Sequence, residues 1–307
     1  MLNEKEFIDI GLATIDELNL PEFAEKNLSV DVLRLDKIHP VISGNKWFKL
    51  KYYLQNAVEQ KKSIITFGGA YSNHIIATAY AAKQLQLQAI GIIRGEEPHQ
   101  LSHTLLLAKK AGMKLIFASR NEYLKKNDGD FISDLKLEYP NSLIIPEGGA
   151  GSEGIDGSEE IMKCIRNNCY THIICAVGTA TTFLGVANAS DFTQKIIGIC
   201  VLKGMNDLLN EKKKFLKNAE KINNCSINYN YHFGGYAKKN PELFNFMNML
   251  YSKTRIPTDF VYTGKLFYAV FDLVKKDFFP RESKLLVIHS GGLQGNDSLT
   301  AGVLNFN

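Results

Sequence analysis

Short apolar runs rich in β-branched residues alternate with longer helical stretches along this chain, and that rhythm leaves few folds open. Ser63–Phe67, Gln88–Ile93, Lys114–Phe117 and Leu143–Ile145 read as buried strands, with helical patterns such as Asn73–Gln84 and Leu101–Ala111 between them. A second series follows at His172–Ala176, Ile196–Val201, Ile227–Tyr231 and Leu285–His289, separated by helical stretches at Glu159–Ile165 and Met205–Ile222. Continuous apolar strands alternating with helices predict an α/β protein with largely parallel sheets, covered on their faces by helices. The charge run Asn210–Lys221 reads as the solvated face of a helix.

At 307 residues the chain suits one large or two closely packed domains. A net charge of +4 gives no reason to expect nucleic acid or a membrane surface as partner. No apolar run approaches the roughly 18 residues of a membrane span. The opening residues lack the basic start and apolar core of a secretory signal. The five cysteines, Cys164, Cys169, Cys175, Cys200 and Cys225, form no CxxC pair, which fits a reduced cytoplasm and disfavours zinc.

In parallel sheets ligands bind at the carboxyl ends of strands, where loops enter helix N-termini. Glycine and small hydroxyl residues gather at such places here: GGAYSNH (68–74), GGAGSEG (148–154), GTATT (178–182) and HSGG (289–292). In GTATT, small residues let backbone N–H groups converge on an anion at a helix start, and threonine hydroxyls add donors. Neither a Walker A nor a GxGxxG pattern is present, so an isolated phosphate suits the loop better than a nucleotide. A helix cap without any ligand accounts for the same residues. In GGAYSNH, Ser72 and Asn73 either cap a helix or, with the loop amides, hold a carboxylate. Lys46 follows the Ser43-Gly44-Asn45 turn and falls in the first turn of an expected helix, where the dipole disfavours a cation. A lysine engaged as an imine escapes that conflict, and a surface lysine reaching away escapes it too.

Taken in order, GNKWFKL (44–50), GGAYSNH, the Thr-rich loop, VYTGK (261–265) and HSGG resemble the pyridoxal 5′-phosphate (PLP)-dependent family of 1-aminocyclopropane-1-carboxylate (ACC) deaminase and D-cysteine desulfhydrase, from about Arg34 to Gly292. The resemblance implies fold type II: a small domain, 46–155, inserted into a large PLP-binding domain, 1–45 and 156–307, with PLP in the cleft between two largely parallel twisted sheets. It also implies a homodimer. By the same resemblance Lys46 carries PLP, Ser72 faces the substrate and Asn73 lies beside the PLP hydroxyl. Gly178, Thr179, Ala180, Thr181 and Thr182 hold the phosphate, and Tyr262 and Tyr236 (in FGGYAKKN) line the active site. Thr263 and Ser290 stand where ACC deaminases carry glutamate and leucine, which tilts the expected substrate from ACC toward D-cysteine. A neutral hydroxyl near the pyridine nitrogen leaves the ring a weaker electron sink than a carboxylate does, enough to expel a thiol. The expected products are pyruvate, ammonia and sulfide. The chain departs from the family at Arg34-Leu35-Asp36 (usually Arg-Glu-Asp), at Phe48 (usually arginine) and at His39–Ser43, a less glycine-rich loop.

Overall fold

The structure, a computed structural model, describes residues 8–167 and 169–306, so residues 1–7 of the stretch read for a leader lie outside it. Among the described residues ten strands form two sheets: β1 Thr14–Glu17, β2 Ser29–Arg34, β3 Ser63–Gly68, β4 Ala89–Arg94, β5 Lys114–Ala118, β6 Ser142–Ile145, β7 His172–Val177, β8 Lys195–Cys200, β9 Cys225–Asn228 and β10 Lys284–His289. One sheet has the order β5-β4-β3-β6 and is wholly parallel. The other has the order β1-β2-β10-β7-β8-β9, parallel except where β1 runs antiparallel to β2. Among the described residues no helix is long and apolar enough to cross a membrane.

The α/β architecture is the expected one, and its departures have physical causes. β1 and β2 do not stand out as strands in the sequence because TIDE and SVDVLR interrupt the apolar run with carboxylates. β1 is an edge strand with mixed exposure, and the burial of β2 comes from β10 beside it. β9 begins two residues before the expected Ile227. The charged Asn210–Lys221 stretch is not a continuous helix face. It breaks into a helix at Leu208–Lys212 and 3-10 turns at Lys213–Phe215 and Ala219–Asn224. Its last lysine points inward: Lys221 Nζ donates to the carbonyls of Ala187 (3.0 Å), Asn188 (3.1 Å) and Ser190. Those carbonyls close the Thr181–Ala189 helix, whose C-terminal end attracts a cation.

A single apolar cluster runs between the two sheets, from Ile64 and Ile93 through Trp47 and Phe48 to Phe183 and Ile173. Phe48, where the family carries arginine, is 1% exposed within it, so the departure adds to the core. The expected domain boundaries at 45/46 and 155/156 fall inside two helices, Asn45–Glu59 and Ser152–Glu159, which pack on each other. Their approach depends on Gly157, where a Cβ would lie 1.9 Å from the Phe48 carbonyl oxygen. Gly185 of the Thr181–Ala189 helix is pressed too, with the Ile155 carbonyl oxygen 2.6 Å from its Cβ position.

Gly157→Ala should therefore lower the urea midpoint, by about 1–3 kcal/mol of overpacking strain that alanine's better helix propensity does not offset. An unchanged midpoint would mean the helices separate without cost.

Candidate active site

The loops that follow β7 and β10 meet at the start of the helix that begins with Asn45. Gly44 enters it at φ 64°, and a Cβ there would lie 1.9 Å from the Ser290 carbonyl oxygen. Only glycine allows both that φ and that approach. The lysine turn is thus pressed against the HSGG turn after β10, and Asn45 N donates to Ser290 O (3.2 Å). The Asn45 side chain then links two of the motifs. Its Nδ2 donates to Thr182 Oγ1 (2.9 Å) and its Oδ1 accepts from Lys46 Nζ (2.8 Å). In the Thr-rich loop Ala180 takes a left-handed φ of 63°, and Thr179 and Thr181 share a hydroxyl hydrogen bond (2.9 Å). Asn73 Nδ2 donates to Gly292 O (3.3 Å), bringing the GGAYSNH loop to the same HSGG turn.

Lys46 Nζ lies 5.7 Å from the Tyr262 ring centroid, and Tyr236 packs edge-on against Tyr262 at 6.1 Å. Gly178 sits under Tyr262, whose ring carbon would be 3.4 Å from a Cβ there. Desolvation pushes the Lys46 amine down to about 8, with the Asp259 carboxylate opposing. Burial, then the neighbouring Tyr236, holds the Tyr262 hydroxyl well above its ordinary range, so it stays protonated. Ser72 caps the Asn73–Gln84 helix by accepting from Ile75 N (3.3 Å). Its hydroxyl proton is left for a second partner.

The Thr263 hydroxyl is held by a neighbouring carboxylate. Its Oγ1 donates to Asp259 Oδ1 (2.7 Å) and accepts from Asp259 N (2.8 Å), and the residue is fully buried. The Ser290 hydroxyl has no such commitment among the described residues.

Four functional candidates escaped the sequence reading. Asp259 accepts from Val261 N, Tyr262 N and Thr263 N (2.9 Å each), fixing the turn that carries Tyr262. A carboxylate three residues before the tyrosine was its only signal. Asn45 was read only as part of a turn. Lys49 is buried, with no carboxylate or carbonyl oxygen in hydrogen-bond contact among the described residues. Burial, then Lys46, drives its amine well below the ordinary lysine value. Its spacing, one helical turn after Lys46, places it on the same face. His74 is the fourth. Thr66 Oγ1 gives its proton to Ile145 O (3.0 Å), so His74 Nε2 must donate to Thr66 (2.8 Å). Nδ1 is therefore a bare acceptor, buried and without a partner among the described residues. Burial and the two lysines push this imidazole down to about 3.

Behind the cluster, Arg34 clasps Asp36 with two hydrogen bonds (Nε 2.8 Å, Nη2 2.6 Å) and reaches Asp16 (2.8 Å). Asp36 in turn lies 3.1 Å from His289 Nδ1, and His289 Nε2 meets Pro257 O (2.7 Å). Burial alone would raise the Asp36 carboxyl, but His289 and Arg34 hold it below its usual range. Leu35, replacing the family's glutamate, is fully buried and takes no part in these contacts.

Known proteins resemble this chain in sequence and in fold. A family model described as pyridoxal-phosphate dependent enzyme matches residues 18–291. A Pyrococcus abyssi protein with the provisional name 1-aminocyclopropane-1-carboxylate deaminase is 32% identical over 290 residues, 88% of this chain and 86% of its own. A mitochondrial Arabidopsis thaliana protein, named bifunctional D-cysteine desulfhydrase/1-aminocyclopropane-1-carboxylate deaminase, is 29% identical over 279 residues, 83% of this chain and 70% of its own. The crystal structure of an ACC deaminase homologue matches at TM-score 0.77 and 28% identity, over 95% of this chain and 94% of that one.

In ligand-free protein, labelling of Lys46 by an amine-reactive reagent should rise with pH through about 8. Only the neutral amine reacts, and an ordinary lysine becomes neutral near pH ~10.4. Peptide mass spectrometry across pH 6.5–10.5 (roughly the span of both values) checks this; co-titration of Lys46 with the surface lysines would contradict its desolvation.

Proposed function

The chain belongs to the pyridoxal-phosphate-dependent enzyme family, and from there we propose that it cleaves a small amino acid by α,β-elimination, with D-cysteine as the leading substrate. The balanced reaction converts D-cysteine and water to pyruvate, ammonia and hydrogen sulfide. The observation that carries the choice is the HSGG turn, which offers the Ser290 hydroxyl, uncommitted among the described residues.

The residues suit PLP by their own chemistry. Lys46 and Lys49 are two desolvated amines beside a Thr-rich helix start, and a phosphate dianion would answer both. Asn73 Oδ1 is a buried acceptor without a partner among the described residues, suited to a ring hydroxyl. In this reading Lys46 carries the cofactor, and the loop Gly178, Thr179, Ala180, Thr181 and Thr182, together with Lys49, holds its phosphate. Asn73 takes the ring hydroxyl and Ser290 stands at the ring nitrogen. Thr263 contributes indirectly, by bracing Asp259. The small domain, 46–155, and the large one, 1–45 and 156–307, form the two walls.

When bound, the cofactor supplies an electron sink for charge at the substrate α-carbon. Ser72 and the amides of its loop hold the substrate carboxylate at the N-terminus of the Asn73–Gln84 helix. The Lys46 amine, poised near 8, takes the α-proton. The Tyr262 phenol, kept protonated, donates to the departing sulfur, and Tyr236 limits the space beside it. The neutral His74 adds no second cation to repel a proton from Lys46.

A second reading, hydrolytic deamination of ACC, draws on the names of the Pyrococcus and Arabidopsis relatives. Purified protein supplied with PLP should develop the visible absorbance of a lysine-bound cofactor and release 2-oxo acid from D-cysteine faster than from L-cysteine, D-serine or ACC. Lys46→Ala should remove the absorbance and reduce turnover by roughly 10³-fold or more. Preference for ACC would replace the first reading with the second. A bound cofactor with no 2-oxo acid from any of the four would leave a binding protein without turnover.

A further inference from the structure

The lysine that closes the VYTGK segment has no part in the chemistry above, yet it is fully buried. Lys265 Nζ donates to three backbone carbonyls: Gly235 O (2.7 Å), His232 O (2.9 Å) and Val201 O (3.3 Å). No carboxylate oxygen is among these contacts. Desolvation pushes the amine down to about 8, with Asp259 and Cys200 opposing. An enclosed ammonium answered only by carbonyl dipoles is costly to bury, so the backbone it gathers is what it serves.

That backbone is strained. Phe233 (φ 50°), Gly234 (85°), Gly235 (118°) and Ala237 (51°) all lie in the left-handed region, two of them without glycine's freedom. Tyr236 sits within this run, and its ring meets Tyr262 edge-on. Lys265 lies on the Thr263–Lys275 helix, three residues after Tyr262. One ammonium therefore ties the loop bearing the first tyrosine to the helix that follows the second. The Val201 carbonyl, just past β8, anchors the same ammonium to the sheet.

We propose that Lys265 is a positioning residue whose ammonium holds residues 232–236 in their strained path, so that Tyr236 stands against Tyr262 at the substrate site. The inference rests on the reading that both tyrosines line that site. It makes Tyr236 a wall fixed in place by a buried cation.

The test uses PLP-loaded wild type, Lys265→Met, Lys265→Ala, Tyr236→Ala and the Lys265→Met/Tyr236→Ala double variant. Hydrogen–deuterium exchange of amides 232–238 should accelerate in Lys265→Met, with the Asn73–Gln84 helix and the cofactor absorbance unchanged. Each single variant should lose roughly 10-fold in kcat/KM, and the double variant should stay within about twofold of Lys265→Met alone, since the two residues act as one unit. Methylammonium chloride, and not sodium chloride, should restore activity to Lys265→Ala by refilling the carbonyl cage. Unchanged exchange at 232–238, or losses that multiply in the double variant, would overturn the proposal. If Lys265→Met does not fold, the methylammonium response of Lys265→Ala and its exchange at 232–238 decide. If wild type releases no 2-oxo acid from any substrate, the functional reading fails, and the exchange result still judges the tether.

Discussion

Lys46 and Lys49 lie one helical turn apart and lose most of their water together, with the Asp259 carboxylate opposing that loss at Lys46. Two enclosed amines near a helix N-terminus are electrostatically unfavourable for the chain by itself. The surroundings are arranged around that imbalance. His74 is fixed as a neutral ring with an unpartnered lone pair, Asn45 accepts one hydrogen bond from Lys46, and the Thr-rich loop offers donors and no negative charge. The site is built to be completed by an anion, which is why a phosphate-bearing cofactor fits it so naturally.

The scaffold meets this demand through close backbone packing. Gly157 and Gly185 let three helices approach until carbonyl oxygens occupy the space of absent side chains, while Gly44 does the same against the HSGG turn. Interiors packed this tightly transmit displacement instead of absorbing it. The Arg34–Asp36–His289 contacts add a directional brace behind the same turn. Lys46 is therefore positioned by groups on several separate elements.

Much of this was legible in the sequence. Strand–helix alternation survives in the two parallel sheets because buried parallel strands must be apolar throughout. The glycine- and hydroxyl-rich loops do converge, as strand-end loops in such sheets should. The illegible parts depend on contacts distant in sequence. β2 carries Asp31 and Arg34 and is recognisable as a buried strand only once β10 lies beside it. Lys221 and Lys265 look like surface lysines until the carbonyls they gather are known. The hydrogen bond from Thr263 to Asp259 is a local capping relation that the residue types alone did not reveal.

The placement of β10 bears on how the protein is made. The four strands of the smaller sheet are consecutive in sequence and can pair as soon as they leave the ribosome. The larger sheet cannot: β10, the last strand, lies in its interior between β2 and β7. Until it emerges, β1-β2 and β7-β8-β9 are separate fragments, each with an unpaired edge that invites mispairing. The same strand brings His289 to Asp36 and the Ser290 turn to Gly44. Cofactor capture is thereby deferred until β10 has emerged, and a nascent chain that stops before it holds an unfinished sheet together with an unfinished site.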